Sequence, residues 1–197
     1  MGLFEAIRSG DLERVQELAA ADADAGLTRE EGVSAVLTAR YHGRLDMVAV
    51  LLPADGALNV WEAAALGRTA RLRELVEGDP TLVDLVSPDG FRPLGLAAFF
   101  GHEDGVRLLL EHHADVNARG TGAIETTPLE AAAAAGETAI ARVLLDAGAD
   151  PRSAQPGGFT PLHAAAQNRN RELYDLLVEA GADPTARADD GSTAEWS

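Results

Sequence analysis

Cysteine and lysine are both absent from this 197-residue chain. Without cysteine there is no disulfide framework and no thiolate chemistry. Without lysine, a phosphate-binding P-loop would lack its phosphate ligand, and all 16 basic residues are arginine, set against 32 acidic ones. The net charge of −16 disfavours direct binding to anionic nucleic acid. It would steer a basic partner in and repel an acidic one, less so at high salt. Arginine without lysine also fits a GC-rich coding bias. No apolar run reaches the roughly 18 residues that a bilayer span needs. The first ten residues carry Glu5 and Arg8 and soon meet Asp11 and Glu13. They offer neither the basic start, the apolar block nor the cleavage site of a secretory signal. Gly2 stands where myristoylation needs it, but Ala6 occupies the place of the required Ser or Thr. A cytoplasmic protein is expected, and a hydrophobic content of 46% argues for a folded one.

What is present is a repeat. Thr160-Pro161-Leu162-His163-Ala164-Ala165-Ala166 is followed by Leu173, Leu176, Leu177 and Gly181-Ala182-Asp183. Earlier come Thr127-Pro128-Leu129-Glu130-Ala131-Ala132, then Ile140, Leu144, Leu145 and Gly148-Ala149-Asp150. Earlier again come Arg92-Pro93-Leu94-Gly95-Leu96-Ala97-Ala98, Gly101-His102, Leu108-Leu109-Leu110 and Ala114-Asp115-Val116-Asn117. These segments resemble the ankyrin repeat, with its T-P-L-H-x-A-A, G-H, V-x-x-L-L and G-A-D-x-N signature. The resemblance is strongest from Ser87 to Arg187. It implies an all-α solenoid of about six helix-turn-helix units with short β-turn fingers.

The phase extends towards the N-terminus. The glycine that closes the first helix of each unit falls at Gly10, Gly43, Gly67, Gly101 and Gly136, with Arg169 in its place in the last unit. Most spacings lie close to the about 33 residues of an ankyrin unit. The step from Gly43 to Gly67 is shorter, so the finger between the second and third units should be missing. That predicts a notch beside Ala57 and Leu58 and a less regular stack there. The expected units are 1–27, 28–55, 56–85, 86–120, 121–153 and 154–187. Residues 188–197 form a capping stub, opening at Asp189-Asp190-Gly191 like a seventh unit.

Each repeated residue has a physical role. Proline sits in the first helical turn, where its missing N–H costs nothing, and the threonine before it can cap the helix. Paired alanines let helices approach closely. Gly148 and Gly181 suit the left-handed residue that ends a second helix, a place His113 fills less comfortably. Gly105 sits within a helix at a cost of about 1 kcal/mol relative to alanine. No unit buries its apolar face alone; stacking does that.

Catalytic and metal-binding motifs do not emerge. No G-x-S-x-G elbow occurs. His102-Glu103 begins like H-E-x-x-H, but Val106 replaces the second histidine. His163 and His102 hold repeat positions with structural roles, and the adjacent His112 and His113 point different ways at a helix end. No cofactor, metal site or catalytic residue is expected.

Within the ankyrin resemblance, partners are expected at the finger tips and on the exposed face of the first helices. The twelve positions just before the helix-closing residues include no acidic side chain, although the chain as a whole is acidic. Tyr41, Leu66, Phe91, Phe99, Phe100 and Phe159 are predicted to form an apolar, aromatic partner-binding stripe that holds four of the five phenylalanines. The alternative is packing between units, with Phe99 turned inward. A monomeric, non-enzymatic scaffold or adaptor is the expected function, binding another protein and neither nucleic acid nor membrane. The competing readings are an acidic inhibitor or antitoxin-like binder of a basic enzyme or nucleic-acid-binding protein, and a cryptic hydrolase or metalloenzyme.

Overall fold

The computed structural model describes residues 1–122 and 125–196. Among the described residues, twelve α-helices follow one another in six antiparallel pairs: α1 (Leu3–Ser9) with α2 (Leu12–Ala21), α3 (Ala35–Tyr41) with α4 (Leu45–Leu51), and α5 (Val60–Ala65) with α6 (Thr69–Gly78). Then come α7 (Pro93–Phe99) with α8 (Glu103–Glu111), α9 (Pro128–Ala135) with α10 (Thr138–Asp146), and α11 (Pro161–Gln167) with α12 (Arg171–Glu179). The chain is thus an all-α solenoid.

Local chemistry sets the helix boundaries. Thr127 and Thr160 cap α9 and α11, and each closes a capping box with the residue three positions on, Glu130 or His163. Asn59 and Glu62 do the same for α5. The turn inside each pair needs a positive φ. It is 78° at Gly101, and 52° even where the residue is Arg169. His113, at the end of a second helix, is likewise forced to 64°.

Between the pairs lie the fingers. The first is a small antiparallel hairpin, β1 (Arg29–Glu30) with β2 (Val33–Ser34), in which Arg29 faces Ser34. Later fingers are closed by backbone bonds that include Ser87 N–H to Phe91 O at 2.8 Å, Gly120 N–H to Thr126 O at 3.0 Å, and Gln155 N–H to Phe159 O at 2.9 Å. A further hairpin follows α12, where Ala188 donates to Ser192 at 3.0 Å. Trp196 then stands edge-on to Tyr174, covering α12.

The third pair has no finger; a single 3-10 turn, Asp55–Ala57, leads into α5. The stack is irregular there, as expected, but the expected notch is not open. Leu58 is buried. The hairpin before α3 also reaches the loop before α7, so that a Cβ added at Gly32 would lie 2.7 Å from Pro88 Cβ. With one finger deleted, its two neighbours close over the gap.

The apolar core divides at the same place. One cluster joins Ala6, Ile7, Val15, Val36, Met47 and Leu51 from the first two pairs. The other begins at Leu37 and Val60 and runs through Leu94, Leu109, Leu129 and Leu162 to Ala194. The first helices α5, α7, α9 and α11 pack on one another more closely than the second helices do. That difference curves the stack and makes the first-helix row its concave wall.

Candidate functional site

The concave wall holds a pocket of about 250 Å³ over α7 and α9. Phe91, Phe99, Phe100 and Tyr41 form one side, Leu96 and Gly95 the floor, and Ala131 and Ala134 the other side, with Gln155 at one edge. The aromatic wall combines one edge-to-face pair with two tilted or stacked ones. Phe99 and Phe100 have ring centroids 5.1 Å apart at 81°, and Tyr41 lies 5.4 Å from Phe91 and 6.0 Å from Phe100. Such pairs hold aromatic rings in fixed orientations. Phe99 is the outermost ring, 45% exposed. The others are half-buried against the core.

The structure therefore gathers four of the six stripe residues around one pocket. Leu66 lies elsewhere, packed against the N-terminal core cluster. Phe159 stands in the finger before α11, 5.0 Å from the His163 ring.

Tyr41 belongs to α3, two pairs away from the pocket floor. It reaches Phe91 because no finger stands before α5 to separate them. Burial, and then the Asp89 carboxylate, push its hydroxyl far above the usual phenol range, so it stays neutral. Arg40, its neighbour on α3, fixes the same wall from behind. Its guanidinium donates to Ala65 O and Phe100 O, at 3.2 Å each, and lies 4.3 Å from the Phe100 ring centroid. His102 Nε2 meets the same Ala65 carbonyl at 3.0 Å. A carbonyl only accepts, so Nε2 carries the proton. Burial foremost, then nearby Arg40, holds His102 below the ordinary imidazole value, against the opposing pull of Ala65 O and Glu137.

The key floor residue was not visible as a site residue in the sequence. In α5, α9 and α11 the third helical position carries Glu62, Glu130 or His163, each buried and folded back into a capping box. In α7 that position is Gly95, and a Cβ there would meet no atom within 4 Å. Arg92, in the capping place, caps nothing with its side chain; it donates through Nε to Arg119 O at 2.8 Å. The pocket thus lies where three other units carry a buried polar side chain. The available signal was glycine in the T-P-L-H position of one unit.

Among the described residues, no group of three or more His, Asp or Glu side chains is placed to hold a metal ion, and no helix is long and apolar enough to cross a membrane.

Stacked helix pairs, β-turn fingers and a shaped concave wall define a repeat solenoid with a recognition surface. The family model described as "Ankyrin repeats (3 copies)" matches residues 3–120 and 120–188, and the chain belongs to the ankyrin-repeat family. Ankyrin repeats are protein–protein interaction modules. The chain is similar to the ankyrin repeat and SAM domain-containing protein 6 of Mus musculus, at 37% identity over 92 residues, 47% of this chain and 10% of that protein. The protein of the same name from Danio rerio is 41% identical over 59 residues, 30% of this chain and 8% of that protein. The E3 ubiquitin-protein ligase MIB2 of Gallus gallus is 42% identical over 64 residues, 32% of this chain and 6% of that protein. The chain therefore spans a tenth or less of the length of these relatives.

Proposed function

We propose that this chain is a non-enzymatic adaptor that binds a partner protein on its concave wall, centred on the pocket over α7 and α9. The observation that carries this reading is the exposure of Phe99 beside three aromatic rings that the fold already holds in place. A rigid, partly desolvated aromatic cluster is what interface hot spots are built from. It pays little entropy on binding, because its rotamers are set by packing. Leu66 and Phe159 extend the wall to either side as secondary contacts. Among the described residues lining the pocket the one carboxylate, Glu130, is held by Arg119, an arrangement that favours binding over catalysis.

Phe99 is the residue to change, since it is exposed and its loss leaves the core intact. A partner captured from native lysate and purified should bind Phe99→Ser about tenfold or more weakly. It should bind Leu45→Ser, altered on α4 where Leu45 is 60% exposed, as well as the unaltered chain. Equal affinity for Phe99→Ser at unchanged melting temperature would remove the concave wall from the interface.

A further inference from the structure

We infer that the pocket over α7 and α9 receives one large uncharged side chain from a basic peptide segment of the partner. The inference rests on the proposal that the concave wall is the binding surface, and adds the chemistry of what enters it.

Three observations carry it. The first is size. A volume of about 250 Å³ falls below the range of about 300–1,000 Å³ that small-molecule sites occupy, and leaves room for the body of one Leu, Phe or Trp. The pocket is open because Gly95 stands where Glu62, Glu130 and His163 fill the corresponding space in other pairs. An interior helical glycine costs about 1 kcal/mol relative to alanine, so the pocket exists at the expense of helix stability.

The second is the absence of a counter-charge inside. The aromatic faces could attract a cation, but Arg40 already lies over Phe100 and Arg92 lines the pocket. The one carboxylate in the lining, Glu130, is buried in its capping box and paired with Arg119 at 3.3 Å. An ammonium or guanidinium entering here would meet two arginines, and the one carboxylate in the lining is already paired. An apolar side chain meets rings, alanines and the glycine floor.

The third is the charge outside. The fingers beside the pocket carry Asp89, whose carboxylate acts on the lining residue Tyr41, and Glu125, next to the lining residue Thr126; neither forms an ion pair among the described residues. The chain as a whole carries −16. The complement of this surface is an apolar anchor flanked by Arg or Lys: the anchor fills the pocket and the flanks meet the finger carboxylates.

Panning a random-peptide phage library against the full chain tests this directly. Enrichment of sequences with one large apolar residue between Arg or Lys residues is expected. Enrichment of acidic or purely polar sequences, or of none, would overturn the inference. A fluorescein-labelled selected peptide then reports affinity by polarisation. Replacing its apolar residue by Ala should weaken binding about tenfold or more, and raising the salt concentration should weaken it further. In the protein, Gly95→Leu projects a side chain into open space. It should keep or raise the melting temperature while abolishing peptide binding. Unchanged peptide affinity in Gly95→Leu would place the anchor elsewhere. Self-association of the unaltered chain that Gly95→Leu abolishes would make a second copy the occupant, and would likewise overturn the inference. The Phe99→Ser result with the native partner stands apart from these outcomes, so the anchor chemistry can fail while the concave interface holds.

Discussion

Arg40 reaches past the third helix pair to the carbonyl oxygen of Phe100, 3.2 Å away, and stacks on the same residue's ring at 4.3 Å. This one side chain ties α3 to α7 across the place where a finger is missing. It does so with a planar fork that also serves Ala65 O. The apolar core is divided at this point, bridged by Leu37 of α3 in the larger cluster and by Leu66 against the smaller one, and Arg40 adds a polar and cation–π link across it.

Arg40→Lys is therefore not a conservative change. Lysine keeps the charge but cannot span two carbonyls while stacking on a ring. A loss of about 1–3 kcal/mol is expected in urea melts. Native-state hydrogen exchange should show it as easier opening of α1 to α4, with α7 to α12 little changed, because repeat arrays are held by neighbour interfaces. Uniform loss of protection along the chain would show that the array unfolds as one unit and that the divided core is of no consequence.

Two substitutions should stabilise the fold. A Cβ at Gly105 would lie 3.5 Å from Ala97 Cβ and 3.7 Å from Leu72 Cδ2, ordinary van der Waals contacts. Gly105→Ala should gain about 1 kcal/mol from helix propensity. Arg169 is exposed and held at φ 52°, so Arg169→Gly should relieve about 1 kcal/mol of left-handed strain. Thermal denaturation of each variant measures the gain. A lower melting temperature for Gly105→Ala would mean that α8 cannot accept the added methyl group.

The repeat, the six pairs, the helix-closing turns and the missing finger were legible in the sequence because each is fixed by local chemistry. Proline in the first turn, a capping threonine and a glycine able to take positive φ act within a few residues of themselves. The closing of the notch was not legible. It depends on Gly32 and Pro88 meeting, and those residues belong to fingers on either side of the missing one. The stripe was legible as composition but not as shape. Nothing in the spacing distinguishes Phe91, Phe99 and Phe100, which surround the pocket, from Phe159, which stacks on His163. The role of Gly95 is not legible in the sequence because a glycine declares what a backbone permits, and here its importance lies in the side chain it lacks.

His102 should make stability depend on pH. Its folded pKa lies below the unfolded value of about 6.5, so between the two values the unfolded chain binds more protons. Stability from this group is complete above about pH 6.5 and is lost as the pH falls through the folded value. The melting temperature should drop between pH 7 and 5.5, and the drop should be smaller in His102→Gln. The depressed carboxylates, Glu30, Asp79, Asp183 and Asp190, act at lower pH and leave this window clear. Parallel curves for the two proteins would assign the drop to other groups.

The concave interface is most directly tested by photo-crosslinking. A benzophenone amino acid placed at position 99, beside the pocket, or at position 45, on α4, is irradiated in the presence of the native partner. Crosslinks to the partner from position 99 and none from position 45 are expected. Crosslinks from position 45 alone would contradict binding on the concave wall.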